Sequence, residues 1–272
     1  MIYILTVLYN TNVNTSNVSI QQNFSNDLKF VFVDNSTDVQ IKKMNLAVVQ
    51  EYKFDFIYVD MKGNKGLSKA YNKAIEIINP AEDDYLIILD QDTVFDTNIF
   101  NKYIAFIENN PNLDIICPVV KDSVGIMSPS LSRGVYNYHI QSIRDVKDEL
   151  INEYSFINSG MCIKGSVFSK IKYDETLFLD FVDHDFVSQI KNNKLKIGIC
   201  YDVVLEQNFS GVTKNTFKQD INRFKIFIKD AKVYYSKYFS TKNIKIVLFK
   251  RTLKLTLIHR KFDFIKTLIK LK

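Results

Sequence analysis

Two aspartates with one residue between them, Asp90 and Asp92, directly follow an apolar run over residues 85–89. Such a run, rich in Ile and Leu without alternation, is typical of a strand covered on both faces in a parallel sheet. Ligands bind beyond the carboxyl ends of such strands. Carboxylate oxygens at that place suit hard divalent cations such as Mg²⁺ and Mn²⁺, and they can also accept from a sugar hydroxyl. The pattern therefore predicts a site for a nucleoside diphosphate.

Two earlier strand-like runs also end in an acid, at Asp34 and Asp60. In parallel strands of one sheet, these carboxylates and that of Asp90 should gather along one edge, above the same crevice. An alternative for each acid alone is local, because Asp commonly starts turns and caps the following helix. Uncompensated acids at one edge repel one another, so their clustering favours a bound cation or a donor-rich ligand.

The elements that would position these acids alternate between strand and helix. Strand-like runs alternate with helical patterns, which argues for βαβ units and an α/β fold with a mostly parallel central sheet. The predicted strands are Ile2–Leu8, Lys29–Asp34, Phe54–Asp60, Tyr85–Asp90, Leu113–Val120 and Leu195–Tyr201. The predicted helices are Asp38–Val49, Gly66–Ile78, about 97–109, and a segment that opens near Phe178 and runs to about Asn192. Turn residues within 121–160 indicate loops and a short hairpin.

The bulk composition sets limits on the class of protein. With 272 residues, 46% of them hydrophobic, the chain can bury one large core or one domain with an extension. The apolar start at Met1 lacks a basic segment and a cleavage site, so it predicts a first strand rather than a signal peptide. No window is long enough and apolar enough to predict a spanning helix. Cys117, Cys162 and Cys200 lack metal-ligand spacing and are expected to be buried free thiols in a reducing cytosol.

The charge is unevenly distributed along the chain. Residues 218–272 hold 16 Lys or Arg against three acids, a net of +13, whereas the rest carries a net of −7. This asymmetry predicts a catalytic domain over residues 1–215 and a basic amphipathic helical extension over 216–272, with separate tasks.

The extension shows apolar and aromatic residues at helical spacing, interleaved with Lys and Arg, over 218–238 and 244–259. Basic amphipathic helices with aromatic residues can lie in the interface of an anionic bilayer, which favours attachment to the inner membrane surface. Two alternatives remain: packing on the catalytic domain with a solvated lysine face, and formation of a homodimer. Nucleic-acid binding is not expected, because no recognised module accompanies the basic residues.

Four motifs in order resemble those of family 2 glycosyltransferases with a GT-A fold. The motifs are Val33-Asp34-Asn35-Ser36-Thr37-Asp38, Asn64-Lys65-Gly66-Leu67-Ser68-Lys69-Ala70-Tyr71-Asn72, Leu89-Asp90-Gln91-Asp92-Thr93, and Phe178-Leu179-Asp180-Phe181-Val182-Asp183-His184-Asp185. The residues of the last two motifs are most similar to those of the bacterial rhamnosyltransferase branch. The resemblance runs from residue 1 to about 212, and the order of the motifs makes it specific.

The resemblance implies a set of roles in binding the nucleotide sugar. Asp92 would hold a Mn²⁺ or Mg²⁺ ion, and Asp90 would contact the donor ribose or reach the metal through water. Asp34 would read the imide edge of the base, while Asp60 and Thr6 would lie against the nucleoside. Asn64 and Gly66 would place backbone donors near the donor, although a turn followed by a helix start explains them equally. Gln91, between the two acids, supports a rhamnose donor by similarity.

The same resemblance assigns the base to Asp183, which would take the proton of the acceptor hydroxyl in a single displacement. The alternative is structural: Asp180 as a helix N-cap, with Asp183 and Asp185 as ordinary acids of the first turn. The neighbouring His184 is not expected to act on the same atom, because one helical residue turns a side chain by about 100 degrees. His139 and His259 have no motif around them.

The sequence departs from the family pattern at two places. Related enzymes often place a metal-binding His where this chain has Gln207 and Asn208, which predicts a weaker metal site that relies on Asp92 and the donor phosphates. An Arg often found after the base motif is Gln189 here, which affects contacts on the acceptor side.

These features predict a metal-dependent inverting glycosyltransferase that moves L-rhamnose from dTDP-rhamnose to a cell-surface polysaccharide acceptor carried on a lipid. It would work in the cytoplasm, peripherally on the cytoplasmic face of the membrane. One alternative is a glycosyltransferase of the same fold that uses a UDP-hexose. Another is a non-catalytic protein that binds nucleotide sugars. A sugar nucleotidyltransferase would want a Gly-rich basic loop soon after the first strand, and residues 9–12 contain neither Gly nor a basic residue.

Overall fold

A computed structural model describes residues 1–15, 28–52, 54–96, 98–207 and 216–271. These residues form one large mixed sheet flanked by helices. The strands are β1 (Ile2–Leu8), β2 (Leu28–Asp34), β3 (Phe56–Asp60), β4 (Tyr85–Ile88), β5 (Ile115–Lys121), β6 (Ile126–Arg133), β7 (Tyr136–Ile140), β8 (Tyr154–Ser155), β9 (Cys162–Lys164) and β10 (Ile197–Glu206).

The α-helices begin where local chemistry satisfies their first backbone donors. The Asp38 side chain accepts from the N–H groups of Gln40 and Ile41, and Thr216 forms a capping box with Gln219. The helices are α1 (Val39–Gln50), α2 (Leu67–Ile78), α3 (Ile99–Asn109), α4 (Val182–Asn192), α5 (Phe217–Tyr238), α6 (Thr241–His259) and α7 (Asp263–Lys270).

The sheet has the strand order β3-β2-β1-β4-β9-β5-β6-β7, with β10 paired to β5 and β8 paired to β6. Strands β1 to β4 are parallel where they pair, as are β5 and β10, whereas β9 runs antiparallel to both of its neighbours. From β1 the chain turns first towards β2 and later towards β4, so the strand order reverses between β1 and β4. A crevice beyond the carboxyl ends of these two strands is where such sheets bind ligands.

Helices cover both faces of the sheet, which explains the continuous apolar strands. On one face, α1 and α3 pack on the sheet through Val49 and Tyr103. On the other face, α2 and α4 pack on it through Tyr71, Ala74 and Phe186. The expected α/β fold with a mostly parallel central sheet is confirmed. The prediction of buried free thiols is also confirmed, because all three cysteines are buried and unpaired.

The three C-terminal helices form a smaller core of their own. Phe224, Ile228 and Tyr235 of α5 meet Leu248 and Leu255 of α6. Phe264 of α7 completes this core. Within the described residues, no helix is long and apolar enough to cross a membrane.

Sequence periodicity located most elements but not all of their ends. The strand expected to reach Asp90 ends at Ile88, because the chain turns there and Thr93 N–H donates to the Asp90 carbonyl. The helix expected to open near Phe178 begins at Val182. Its N-cap is Phe181, in the left-handed conformation with φ 64°, so the interpretation of Asp180 as the N-cap is wrong.

Candidate active site

The cleft at the carboxyl ends of β1 and β4 consists of two neighbouring cavities. After the ligands that the sequence motifs predict, we call the larger one, about 290 Å³, the donor cavity, and the smaller one, about 130 Å³, the acceptor cavity. Asp90, Leu67 and Leu179 line both of them. Gln91 and Asp92 line the donor cavity alone, and Asp183 lines the acceptor cavity alone. Asp92 and the expected base, Asp183, therefore lie in different cavities, and Asp90 belongs to the wall between them.

The two aspartates after β4 differ in exposure and in surroundings. Asp92 is exposed, whereas Asp90 is half-buried and accepts a hydrogen bond of 2.6 Å from Nε2 of Gln207. Burial and the neighbouring charge of Asp92 raise the pKa of Asp90 to about 6, and the hydrogen bond from Gln207 opposes that rise. A cation bound nearby would therefore stabilise the ionised form of the Asp90 carboxylate.

Gln91 has a structural role beside its place in the donor cavity. Its Oε1 accepts a hydrogen bond of 2.9 Å from the backbone N–H of Tyr9. This bond joins the turn after β4 to the segment after β1. The amide oxygen of Gln91, a residue that the resemblance places in the donor site, is therefore already bound to the protein.

Gln207 is one of the two residues at the position where the resemblance predicts a metal-binding His. It is buried at the end of β10, and its Oε1 has no hydrogen-bond partner among the described residues. Asn208, the other candidate, lies outside the described residues. An unsatisfied buried oxygen on an amide that already contacts the Asp90 carboxylate is an environment that a hard divalent cation would complete.

The described residues contain no group of three or more His, Cys, Asp or Glu side chains arranged to hold a metal ion. A cation bound here would therefore take its protein ligands from Asp92, with Asp90 and the Gln207 oxygen beside it. The remaining ligands would be water and phosphate oxygens, as is usual for Mg²⁺. The all-oxygen donor set fits Mg²⁺ or Mn²⁺ and does not suit a soft metal.

The start of α2 forms part of the wall of the donor cavity. Oδ1 of Asn64 accepts from the N–H of Gly66 and from Nδ2 of Asn35, at 3.0 and 3.1 Å. Gly66 has φ 89°, and a Cβ there would lie 2.7 Å from the backbone oxygen of Phe178. Leu67 N–H donates to that same oxygen at 2.7 Å. A glycine is required at position 66 because two backbone segments meet there.

Asp183 lies in the first turn of α4 and faces the acceptor cavity. Its Oδ1 accepts from the N–H of His184 at 2.9 Å, which leaves Oδ2 without a protein partner among the described residues. The His184 ring instead contacts Ser155, at 3.1 Å between Nδ1 and Oγ, and lines a different cavity. Asp183 and His184 therefore face different cavities, as the rotation of about 100 degrees per helical residue predicts.

The predicted roles of Asp34 and Asp60 do not match their positions. Both end their strands, and they pair in register, but neither lines the cleft. Asp34 is fully buried and accepts from Tyr58 and Asn45, at 2.7 and 2.9 Å. The expectation that uncompensated acids of three strands face one crevice is wrong, because Asp34 is satisfied by neutral donors inside the fold.

Asp60 is compensated by charge. It forms ion pairs with Lys42 of α1 and with Lys62, the latter at 2.8 Å. Burial would raise the pKa of Asp60, but hydrogen bonds from Lys42 and Lys62 outweigh it and lower the pKa to about 2.

The expected position of Thr6 is also wrong. β1 continues to Leu8, and Thr6 is fully buried within the sheet, with no partner for its hydroxyl among the described residues. The residues that β1 and its continuation contribute to the donor cavity are Val7 and Tyr9. From β2, the cavity receives Asn35 in place of Asp34.

Sequence reasoning missed the residues of α5 that hold the segment before Asp183. Asp230, which is buried, accepts from the N–H groups of Phe178, Leu179 and Asp180 at 3.1, 2.8 and 2.8 Å. Arg223 pairs with Asp180 at 2.8 Å. A buried acid in a basic helix was the available signal, but its target lies about 50 residues away.

α5 also contacts the first turns of α4. Lys237 donates to Oδ1 of Asp185 at 2.8 Å, and the hydroxyl of Tyr238 donates to the same oxygen at 3.1 Å. Gln189, which replaces the Arg often found in related enzymes, donates to the other oxygen of Asp185 at 2.8 Å. Asp185 therefore connects α4 to α5, consistent with a supporting role.

The chain is similar in sequence to known glycosyltransferases. The sequence model described as Glycosyl transferase family 2 matches residues 10–172. The chain is 25% identical over 194 residues to an uncharacterized glycosyltransferase of Methanocaldococcus jannaschii, covering 69% of this chain and 62% of that protein. It is 26% identical over 208 residues to the dTDP-rhamnosyl transferase RfbF of Shigella flexneri, covering 74% of this chain and 67% of that protein.

Solved structures show a similar fold at low sequence identity. The mannosyltransferase PcManGT from Pyrobaculum calidifontis, in complex with GDP-Man and Mn²⁺, has a TM-score of 0.58 at 13% identity, covering 99% of this chain and 73% of that chain. S. aureus TarS 1-349 in complex with UDP-GlcNAc has a TM-score of 0.57 at 14% identity, covering 99% of this chain and 79% of that chain.

Proposed function

Because this chain belongs to glycosyl transferase family 2, we propose that it transfers a sugar from a nucleotide donor to an acceptor hydroxyl with inversion at the anomeric carbon. The observation that carries the proposal is the shared wall of the two cavities: Asp90 borders both, with Asp92 on one side and Asp183 on the other. A single displacement needs a leaving group and a base on opposite sides of the reacting carbon, and this arrangement offers both.

The donor cavity suits a nucleoside diphosphate. Its wall combines the backbone around Gly66 and the amides of Asn35 and Asn64 with the carboxylates of Asp90 and Asp92. A bound Mn²⁺ or Mg²⁺ would supply Lewis acidity to the diphosphate as negative charge develops on it. Asp92 and the buried oxygen of Gln207 are the residues that would hold the ion.

The proton of the acceptor goes to Asp183. As the acceptor oxygen forms its bond to the anomeric carbon, the bond from that carbon to the diphosphate oxygen breaks, and its electron pair leaves with the diphosphate. The carboxylate of Asp183 takes the proton released from the acceptor hydroxyl. The hydrogen bond from His184 N–H fixes one oxygen of Asp183, so the other is available for this transfer.

We assign L-rhamnose from dTDP-rhamnose as the donor. Two observations support this choice: the wording of the motifs at 89–93 and 178–185, and the similarity to RfbF, which is named as a dTDP-rhamnosyl transferase. The competing donor is a UDP-hexose. The acceptor we assign is a growing cell-surface polysaccharide carried on a lipid, handled at the cytoplasmic face of the membrane.

The decisive experiment is a screen of dTDP-, UDP- and GDP-sugars for donor hydrolysis and for transfer, with Mn²⁺, with Mg²⁺ and with chelator. We expect dTDP-rhamnose with either ion to give the fastest turnover, and proton NMR of the product to show inversion. Faster turnover with a UDP-hexose would correct the donor alone. Failure of every nucleotide sugar to turn over or to raise the melting temperature would overturn the proposed function.

A further inference from the structure

The outer side of α6 carries an apolar stripe that nothing in the described structure covers. The helix buries Leu248 and Leu255 against α5, whereas Phe249, Leu253 and Leu257 are 63%, 47% and 67% exposed. These three residues lie four apart, so they follow one another along a single face of the helix.

The following helix adds further exposed apolar side chains. Phe264 of α7 is buried against α5 and α6, but Phe262, Ile265 and Ile269 are 71%, 39% and 66% exposed. At 100 degrees per residue these three fall within about 60 degrees of one another. We call the exposed side chains of Phe249, Leu253, Leu257, Phe262, Ile265 and Ile269 the tail surface.

Basic residues border the apolar stripe of α6. By helical geometry, Lys245 continues the row of the stripe at its N-terminal end, while Lys250 and Lys254 lie along one side of it. Asp263 is the single acidic residue between 241 and 272, against 10 Lys or Arg. Within the described residues, the side chains of Lys245, Lys254, Lys266 and Lys270 are exposed, and no hydrogen bond or ion pair is formed by them. These charges are therefore available to an external partner.

From this arrangement we infer that the tail surface docks on an anionic lipid bilayer, with α6 lying in the plane of the interface. An apolar stripe bordered by lysines is the pattern of interfacial helices, whose apolar side chains enter the acyl boundary while their lysines reach the headgroups. Charge complementarity selects this occupant. Two copies of the chain meeting through the tail surface would bring like charges together, and a nucleic acid would leave the apolar stripe in water.

The inference gives the lipid-linked acceptor of the proposed function a specific surface, but it is tested without donor or acceptor. The full chain is mixed with vesicles of phosphatidylcholine containing about one-third phosphatidylglycerol, or with phosphatidylcholine alone, and bound protein is measured by flotation. We expect binding to the anionic vesicles, a fall in binding with added salt, and little binding to the neutral ones.

Two variants probe the tail surface, and one provides the control. The charge variant replaces Lys245, Lys254, Lys266 and Lys270 with Gln, and the apolar variant combines Phe249→Ser with Leu257→Ser. The control replaces Lys43, Lys147, Lys170 and Lys194 with Gln, which removes the same charge from exposed positions elsewhere. Each lysine near an anionic surface contributes roughly 5-fold to affinity, so the loss of four should weaken binding by up to about 600-fold, while the control should bind almost as wild type.

The outcomes separate the alternatives. Loss of binding in both tail variants, with unchanged melting temperatures and an unchanged control, supports docking on the bilayer. Equal binding by the charge variant and the control would overturn the inference, as would equal binding to neutral vesicles. Sedimentation showing a dimer that the apolar variant dissociates would overturn it in favour of a second copy. Vesicle binding and donor turnover are separate readouts, so failure of one does not imply failure of the other.

Discussion

Oδ2 of Asp230 on α5 accepts a hydrogen bond of 2.8 Å from the backbone N–H of Leu179, a residue that lines both cavities of the cleft. The same carboxylate holds the N–H groups on either side, those of Phe178 and Asp180. The C-terminal helices thus fix the segment that leads into Asp183. The proposed boundary between residues 1–215 and 216–272 stays a prediction, but the two segments do not have fully separate tasks.

Replacement of Asp230 should therefore reduce turnover. In Asp230→Asn, the carboxylate that accepts from three backbone N–H groups is replaced by a neutral amide. We expect this change to lower the free energy of unfolding by about 2 kcal/mol. Loosening of the segment before Asp183 should lower kcat roughly 10- to 100-fold, because small displacements of a base are costly. Steady-state kinetics and thermal unfolding measure both effects. Asp263→Asn, an exposed acid of α7, is the control, and equal kinetics in the two variants would contradict the positioning role.

Asp183→Asn tests the base itself. The amide keeps the size of the side chain but cannot take a proton, so kcat should fall by about 10²- to 10⁴-fold. Binding of the nucleotide sugar, followed by calorimetry, should change little because Asp183 does not line the donor cavity. Asp185→Asn is the comparison within the same helix, with a smaller loss expected through its contacts with α5. A variant at position 183 that retains wild-type turnover would remove Asp183 from the mechanism.

Gln207→Ala tests the buried amide beside Asp90. The change removes the hydrogen bond to Asp90 and the unpartnered oxygen, and losing such a supporting group typically weakens a metal site by about 10- to 100-fold. Activity measured against Mn²⁺ concentration should show a correspondingly higher half-saturation, and Mn²⁺ binding followed by electron paramagnetic resonance should agree. Gln141→Ala, at an exposed position, serves as the matched control. An unchanged Mn²⁺ dependence would exclude Gln207 from the metal site.

Gly66→Ala should disturb the cleft by sterics alone. A Cβ at this position meets the oxygen and ring of Phe178 at 2.7 and 2.8 Å. Gly63 is a matched control, because it also has a positive φ, 106°, but a Cβ there meets nothing within 4 Å. We expect Gly66→Ala to lower the free energy of unfolding by about 1–3 kcal/mol more than Gly63→Ala, since only the former is overpacked. If chemical denaturation shows that both variants lose the same free energy of unfolding, the cost comes from backbone conformation alone and not from overpacking.

Asp60 should contribute to stability in acid. Folding lowers the pKa of Asp60 to about 2 from the 3.8 that an unfolded chain would show, so folding favours the ionised form. The contribution, about 2 kcal/mol, is therefore fully present above about pH 4 and is lost as the pH falls towards 2. Denaturation of Asp60→Asn should differ from wild type at pH 6 and converge with it near pH 2. Asp55→Asn, at a side chain that is 82% exposed, is the control and should have nearly the stability of wild type at both pH values.

The sequence predicted the parts of this protein that depend on local periodicity and on motif order. The continuous apolar run before Asp90 and the helical stripe through Tyr71 and Ala74 each specify an element and its buried face. The Asp-x-Asp pair and Asp183 then follow from where those elements end.

What the sequence could not predict are contacts between distant segments. The donors that satisfy Asp34 come from α1 and β3, and Lys42, which neutralises Asp60 together with Lys62, comes from α1. No local pattern shows that these side chains point towards the acids. The left-handed Phe181 is similar, because its ring contacts Phe227 and Tyr234 of α5, which are far from it in the sequence.

The bond from Tyr9 to Gln91 changes how the middle letter of the Asp-x-Asp motif is to be interpreted. In this chain that residue is Gln91, which would otherwise be taken as a label for the sugar that the protein handles. Here its amide oxygen is occupied by the main chain of the first loop. We therefore expect the residue at this position to vary with the shape of that loop. Discrimination among sugars should depend on other side chains of the donor cavity, such as Asn64 and Leu179.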